Sequence, residues 1–417
     1  MREGVYKKIL WVGIAAALIF SPIAGGATKL WALTPLLLIE ALLIFVWLWK
    51  FNNQPPQTKL PITHYLLPIT KIDRPIIAFA ILAIISFAFS IYKYASFYAL
   101  LELFGYIGIY YIVKTEFDRE MMKRVINLVI VLAAGLSLCG ILQYLGVLGH
   151  SWWDPKEFLA STFVNHNHFA GYLELAIPVA VIALARALRD PDNKSMIYKA
   201  SVAAALVVMI AAFIIAQSRG AWISLSMAFL IGMYVTIRKK AHDRKAIAFL
   251  ILFIVLMATL AFFSRDIITQ RVETISDLES DPSSSTRLKI WQGACGMIMA
   301  NPLAGTGIGT FESGFSRYRP EGLNVQANFA HNEYLNMACE MGVLAPLVML
   351  WIFLAAAGMG LAGEKTLHYS IGCAVGVLSL ALHGLVDFNF HIPANMLLFT
   401  VWIAFIVSDS RHKEKGR

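Results

Sequence analysis

Runs of about 20 apolar residues recur along almost the whole chain, each long enough to cross a hydrocarbon layer ~30 Å thick. At that depth no water is present to satisfy the backbone, so a segment must pair its own N–H and C=O groups. The runs do not alternate polar with apolar residues, which excludes barrel strands and leaves helices. Apolar residues make up 58% of the 417, and that removes soluble enzymes from consideration. The expected fold class is all-α: a polytopic membrane protein of about 12 transmembrane helices with a large periplasmic loop containing short helices.

The spans are expected near residues 9–27, 30–49, 75–92, 94–113, 124–145, 169–188, 197–216, 220–237, 246–263, 333–357, 370–386 and 393–408. Lys and Arg orient them. With the N-terminus inside, the inner segments hold about 25 of the 35 basic residues and the outer ones about 10, alternating loop by loop. An even number of spans keeps the basic tail, with Arg411, Lys413, Lys415 and Arg417, on the same side as the N-terminus. The first apolar run lacks a small-residue cleavage site and is followed by more spans, so it is expected to be retained. Three regions result: 1–263, an N-terminal transmembrane bundle of about nine helices; 264–332, the periplasmic loop with amphipathic helices; and 333–417, C-terminal transmembrane helices with a cytoplasmic tail.

The formal charge of +9 does not point to nucleic acid, because the basic residues sit in short clusters between spans. Cys139, Cys295, Cys339 and Cys373 are scattered, with no spacing that would hold zinc or a redox centre.

The exceptions to the charge bias carry the functional reading. Arg219 sits in a very short outer turn, Gln217-Ser218-Arg219-Gly220. It must either snorkel to the headgroups or bind an anion in a cavity. The 264–332 loop is too long for a simple connector. Within it, Asp281-Pro282-Ser283-Ser284-Ser285-Thr286 offers helix caps, and Leu288, Trp291, Cys295 and Ile298 recur at helical spacing, as in an amphipathic helix lying on the membrane surface. Arg287 and Lys289 are expected in its first turn, where a helix N-terminus with added cations suits phosphate, although a charged surface helix fits as well.

Asn301-Pro302-Leu303-Ala304-Gly305-Thr306-Gly307-Ile308-Gly309 lacks the βαβ context of a dinucleotide site. Its glycines are expected to make a tight turn packed close to another backbone. His331 ends the loop, where a neutral imidazole can take a proton from a sugar hydroxyl, though a structural histidine fits equally. Asn165-His166-Asn167-His168 offers a His-x-His spacing, but no supporting carboxylate cluster argues for metal. These side chains are expected to contact a glycan or line the cavity. In the last outer turn, from His383 to Pro393, Asp387 and His391 could close the site or pair with arginine. No nucleophile elbow supports acyl-enzyme chemistry.

At these residues the chain resembles the O-antigen ligase/polymerase superfamily of bacterial membrane glycosyltransferases. The resemblance rests on Ser161 through Gly171, on Ser218-Arg219-Gly220-Ala221-Trp222, on Arg287 through Trp291 to Asn301–Gly307, and on His331-Asn332 followed by Gly342. Ala345 matches the ligase form of the last motif only approximately. It covers most of the chain from Phe158 to Asn395, and its motifs are specific as a set.

The resemblance implies transfer of a glycan from undecaprenyl pyrophosphate to an acceptor hydroxyl at the periplasmic face of the bacterial inner membrane, without cofactor or metal and with inversion. The acceptor would be a lipid A–core sugar for a ligase in lipopolysaccharide biosynthesis. A repeat-unit polymerase would use another glycan and a protein O-oligosaccharyltransferase a protein hydroxyl. Carried over by motif, the family's two essential arginines fall on Arg219 and Arg287, and its proposed catalytic histidine on His331. Lys289, Asn165, His166, His168, Asn332, Asp387 and His391 are then candidate substrate-binding residues. A transporter or flippase would instead show mid-membrane charges in paired, broken halves. Glu40, Glu102 and Glu174 lie in or near spans, but the halves do not repeat. A structural component of a larger envelope machine is the third reading.

Overall fold

The structure is a computed structural model that describes residues 3–52, 70–149, 158–189, 195–239, 282–361 and 368–415. All regular structure among these residues is helical. In chain order the helices are α1 (Glu3–Ile23), α2 (Leu30–Asn52), α3 (Asp73–Ala88), α4 (Lys93–Glu116), α5 (Arg119–Tyr144), α6 (His166–Arg189) and α7 (Met196–Ile215). They continue with α8 (Arg219–Lys239), α9 (Pro282–Ala300), α10 (Phe311–Phe315), α11 (Glu333–Met341), α12 (Leu344–Gly360), α13 (Tyr369–His383) and α14 (Pro393–Lys415).

Seven of these helices are long and apolar enough to cross a membrane: α1, α2, α4, α5, α6, α7 and α14. Three shorter apolar helices fall within α8, α12 and α13. The expected span 246–263 and the first part of the loop, 264–281, lie outside the described residues. The expected count of twelve is thus not established, while the all-helical membrane class holds.

Burial sorts the helices. The spanning windows of α6 and α14 are 89% and 83% buried, against 28% for α2. α6 and α14 form the axis, and α2 leaves most of its surface uncovered by the rest of the protein. α13 packs on both α6 and α8, α14 on α4, and α5 on α7. Among apolar side chains at this axis, Trp402 still donates its Nε1–H to the Leu175 carbonyl at 3.0 Å, because a buried indole needs a partner.

A second, smaller core lies in the loop region. Ile290, Ala294 and Met297 of α9 pack with Phe311, Phe315, Leu323, Ala327, Ala330 and Cys339. The expected helix at 282–300 is present, but two expectations about it are corrected. Its packed face is Ile290–Ala294–Met297, while Leu288 and Cys295 point outward. The cause is Gly293: a Cβ there would fall 2.6 Å from the Tyr318 carbonyl and from Phe315. The helix therefore seats by the face around Gly293, with Ile290, Ala294 and Met297 buried and Leu288 and Cys295 outside. It also starts at Pro282, which puts Arg287 and Lys289 beyond the first turn and removes the helix-terminus argument for phosphate at these two residues.

The expected span 333–357 is also corrected. It is two helices, α11 and α12, separated at Gly342, whose φ is +83°. The glycine loop causes the break. Gly307 N–H donates to the Glu340 carbonyl and Thr306 N–H to that of Cys339, both at 2.9 Å, and Val343 N–H donates to Pro302 O at 2.9 Å. A Cβ on Gly342 would lie 2.1 Å from the Leu303 carbonyl oxygen. The Glu340 carboxylate accepts from Gly309 N–H at 2.9 Å and Phe311 N–H at 3.0 Å. The glycines thus make the tight turn against a neighbouring backbone that their spacing predicts. Gly305 has φ +65°, and a Cβ there would meet the Glu340 carbonyl at 2.2 Å. Gly305→Ala is therefore expected to cost at least ~1–3 kcal/mol. Thermal unfolding in detergent should show a lower midpoint, and an unchanged midpoint would mean that this backbone contact carries no weight.

Candidate functional site

The site starts from a carboxylate inside α6. Glu174 is fully buried in an otherwise apolar run, and such a group persists only with partners. It receives Ser224 Oγ–H from α8, Ser379 Oγ–H at 2.7 Å from α13, and His383 Nδ1–H at 2.7 Å from the end of α13. One carboxylate thereby joins three helices and sets the orientation of an imidazole, since the ring edge bearing Nδ1 is held against the acid.

The other edge of His383 faces the turn that carries Arg219. A Cβ at Gly220 would sit 3.0 Å from His383 Nε2 and 2.9 Å from Val386 Cγ2. Only glycine lets α8 begin this close. The preceding residues fix the turn: Gln217 is left-handed at φ +55°, and Ser218 is buried. His166 Nδ1–H donates to the Ala216 carbonyl at 2.7 Å while its ring stacks on Phe158 at 4.4 Å. Asn165 caps the same helix start by accepting Asn167 N–H at 2.8 Å. His166 and Asn165 thus position the Arg219 turn and the start of α6.

The turn after α13 gathers the remaining groups. Asp387 is 2% exposed. Its Oδ1 accepts Phe388 N–H at 2.8 Å and lies 4.0 Å from His168 Nε2. Burial alone would raise the Asp387 pKa, but His168, His383, Arg287 and His331 together bring it below the ordinary carboxylate value. The edges of both His168 and His331 meet the Phe388 ring, each with centroids 4.8 Å apart, and Phe329 stacks on that ring at 4.6 Å. His331 is half-buried with φ +49°. Burial lowers its pKa from 6.5; Asp387 acts the other way, and Arg287 adds to the lowering. The imidazole is therefore neutral at pH 7 and able to accept a proton.

His391 is placed differently. Its Nδ1 lies 2.9 Å from Glu333 Oε2, and its ring packs on Phe329 at 4.6 Å. Asn332 spends its side chain on structure: Oδ1 accepts Tyr334 and Leu335 N–H to cap α11, and Nδ2–H donates to Leu385 O at 2.9 Å. Lys289 is exposed and donates to Gly322 O at 3.2 Å, so it braces the outer loop.

His331, His168 and Asp387 are therefore brought together around Phe388, the charge of Arg287 acts on Asp387 and His331, and the Arg219 turn approaches through Gly220 and His383. Asn165, His166 and Asn332 are engaged in holding the elements that carry them, and the two rings of the His-x-His pair turn to different partners. Glu174, Glu333 and His383 were not among the candidate residues. The available signal was a glutamate within an apolar span, which marks a functional position by default.

Residues 204–352 match the model of a family described as O-antigen ligase, Wzy_C. That is about a third of the chain, and it contains Arg219, Arg287, Lys289, His331 and Asn332. The match supports the O-antigen ligase superfamily and implies glycosyl transfer of the ligase or polymerase kind. Asn165, His166, His168, Asp387 and His391 lie outside the matched segment. A search of curated proteins finds no match.

His391 generates a prediction about stability. Burial opposes its charge, but the Glu333 carboxylate prevails, aided by Glu340 and Glu102, and raises its pKa from 6.5 to about 9. Its contribution to stability is fully present below 6.5 and is lost as pH rises through about 9. The difference in thermal midpoint between the wild type and His391→Gln should shrink across that window. A difference independent of pH would show that the pair is not ionic.

Proposed function

We propose, from the premise of an O-antigen ligase domain at residues 204–352, that this membrane protein transfers a glycan from undecaprenyl pyrophosphate to an acceptor hydroxyl at the periplasmic face. The observation that carries the reading is the convergence on one turn, 383–388, of two cationic positions and a neutral histidine. The start of α8, which bears Arg219, touches His383 and Val386, and the charge of Arg287 reaches both Asp387 and His331.

In this reading His331 accepts the proton of the acceptor hydroxyl. The freed oxygen attacks the anomeric carbon, the bond from that carbon to the diphosphate oxygen breaks, and the configuration inverts. The electron pair leaves on the lipid diphosphate. Its growing charge is met by the guanidinium groups of Arg219 and Arg287, whose fork geometry suits phosphate and makes a metal ion unnecessary. Asp387 stabilises the protonated form of His331 after transfer, as the direction of its effect on that histidine indicates. An apolar cleft lined by Ile76, Phe79, Leu103, Tyr106, Met349 and Phe399 supports a place for polyprenyl carbons between helices. Ligase activity is preferred because the matching model is that of O-antigen ligase.

The assay is transfer of a labelled glycan from its polyprenyl diphosphate by the purified protein in nanodiscs. Arg219→Ala and Arg287→Ala should each lower the rate by about 10²–10³-fold with normal membrane insertion. A rate within a few-fold of wild type for either would remove that arginine from the leaving-group role. His331→Ala should lose ~10²–10⁴ in rate and still bind the donor. Because the His331 pKa lies below 6.5, the wild-type rate should level off before neutral pH and fall only on the acid side. Loss of donor binding on removal of His331 would make it a ligand and not a base.

A further inference from the structure

Far from this site, α6 ends at a polar cavity. From His168 to Arg186 the helix advances 18 residues, about 27 Å at 1.5 Å per residue, so the cavity lies at the opposite end of the bundle. It has a volume of about 230 Å³ and is lined by Arg119, Lys123, Arg186, His368 and Asp409 over an apolar floor that includes Phe405. Three basic side chains, Arg119, Lys123 and Arg186, thus share the cavity with one acidic residue, Asp409.

The cavity is a built feature. The Arg186 guanidinium lies over the Tyr369 ring, 4.7 Å from its centroid, which fixes one cation in place. Asp409 accepts Ser370 Oγ–H at 3.0 Å and lies 3.9 Å from His368 Nδ1, so the acid is held on the α13 side. α13 begins at this cavity, and its N-cap residue His368 makes no side-chain cap bond; the positive end of the helix dipole favours an anion there. Arg119 and Lys123 are exposed on the first turns of α5, at the end that the charge bias assigns to the cytoplasm. A basic rim, an apolar floor and a position between membrane helices suit a phosphodiester headgroup with the first carbons of its acyl chains.

We propose that this cavity binds the phosphodiester headgroup of an anionic phospholipid at the face opposite the transfer site. The test uses the full chain in detergent and reads thermal midpoint and lipid retention by native mass spectrometry. The probes are dioctanoyl phosphatidylglycerol, dioctanoyl phosphatidylcholine and inorganic phosphate. The anionic lipid should raise the midpoint saturably, whereas the zwitterionic lipid should not, and inorganic phosphate should fail to displace it. The double variant Arg119→Gln/Lys123→Gln should weaken apparent affinity at least tenfold. Asp409→Asn, which keeps an acceptor for Ser370 and removes the opposing charge, should strengthen it. Equal response to both lipids, wild-type affinity in the double variant, or no gain in Asp409→Asn would overturn the proposal. Displacement by inorganic phosphate would also overturn it, by identifying a soluble-phosphate site.

Discussion

One buried carboxylate organises the working end of this protein. Glu174 sits where hydrocarbon packing leaves no water to solvate it, so it must find its partners within the bundle. It finds them on α8 and α13, through Ser224, Ser379 and His383. His383, held by one nitrogen, presents its other edge to Gly220, and the Arg219 turn settles against it. The 384–388 turn then places Asp387 beside His168, where the charge of Arg287 also acts on it. Loss of Glu174 would leave these helices without their shared polar contact, and the two cationic positions would lose their common reference.

A second constraint shapes the segment that carries His331. The glycine loop at 301–310 lies directly on the backbone of α11 and breaks what would otherwise be one long helix. α11 thus runs only from Glu333 to Met341 under its own Asn332 cap, while the apolar helix α12 begins afresh at Leu344. His331 can therefore lie over Phe388 in a left-handed conformation instead of following the line of a membrane helix. Glu340 serves both tasks: its carbonyl pairs with Gly307 and its carboxylate holds Gly309 and Phe311.

Much of this was legible in the sequence. Apolar runs gave the helices because hydrocarbon forbids other open structures, and the glycine spacing gave a close backbone turn. Arg219, Arg287 and His331 stood out as polar exceptions. The break at Gly342 was not legible, because apolar composition continues across it and only the contact with Leu303 reveals it. The packed face of α9 was misread for a related reason: Leu288, Trp291, Cys295 and Ile298 keep helical spacing, yet Gly293 and Ala294 make the close approach. Glu174 and His383 were visible singly but not as a pair, since a contact across 209 residues leaves no local pattern.

The central claim is that Arg219 and Arg287 hold the departing diphosphate while His331 faces the acceptor. The most direct measurement is an experimental structure of the protein bound to a polyprenyl diphosphate in nanodiscs. The account predicts diphosphate density within hydrogen-bond distance of both guanidinium groups, beside the 383–388 turn, with His331 on the side where the sugar would sit. Density for the diphosphate against Lys289, at the opposite end of α6, or touching only one of the two arginines would contradict it.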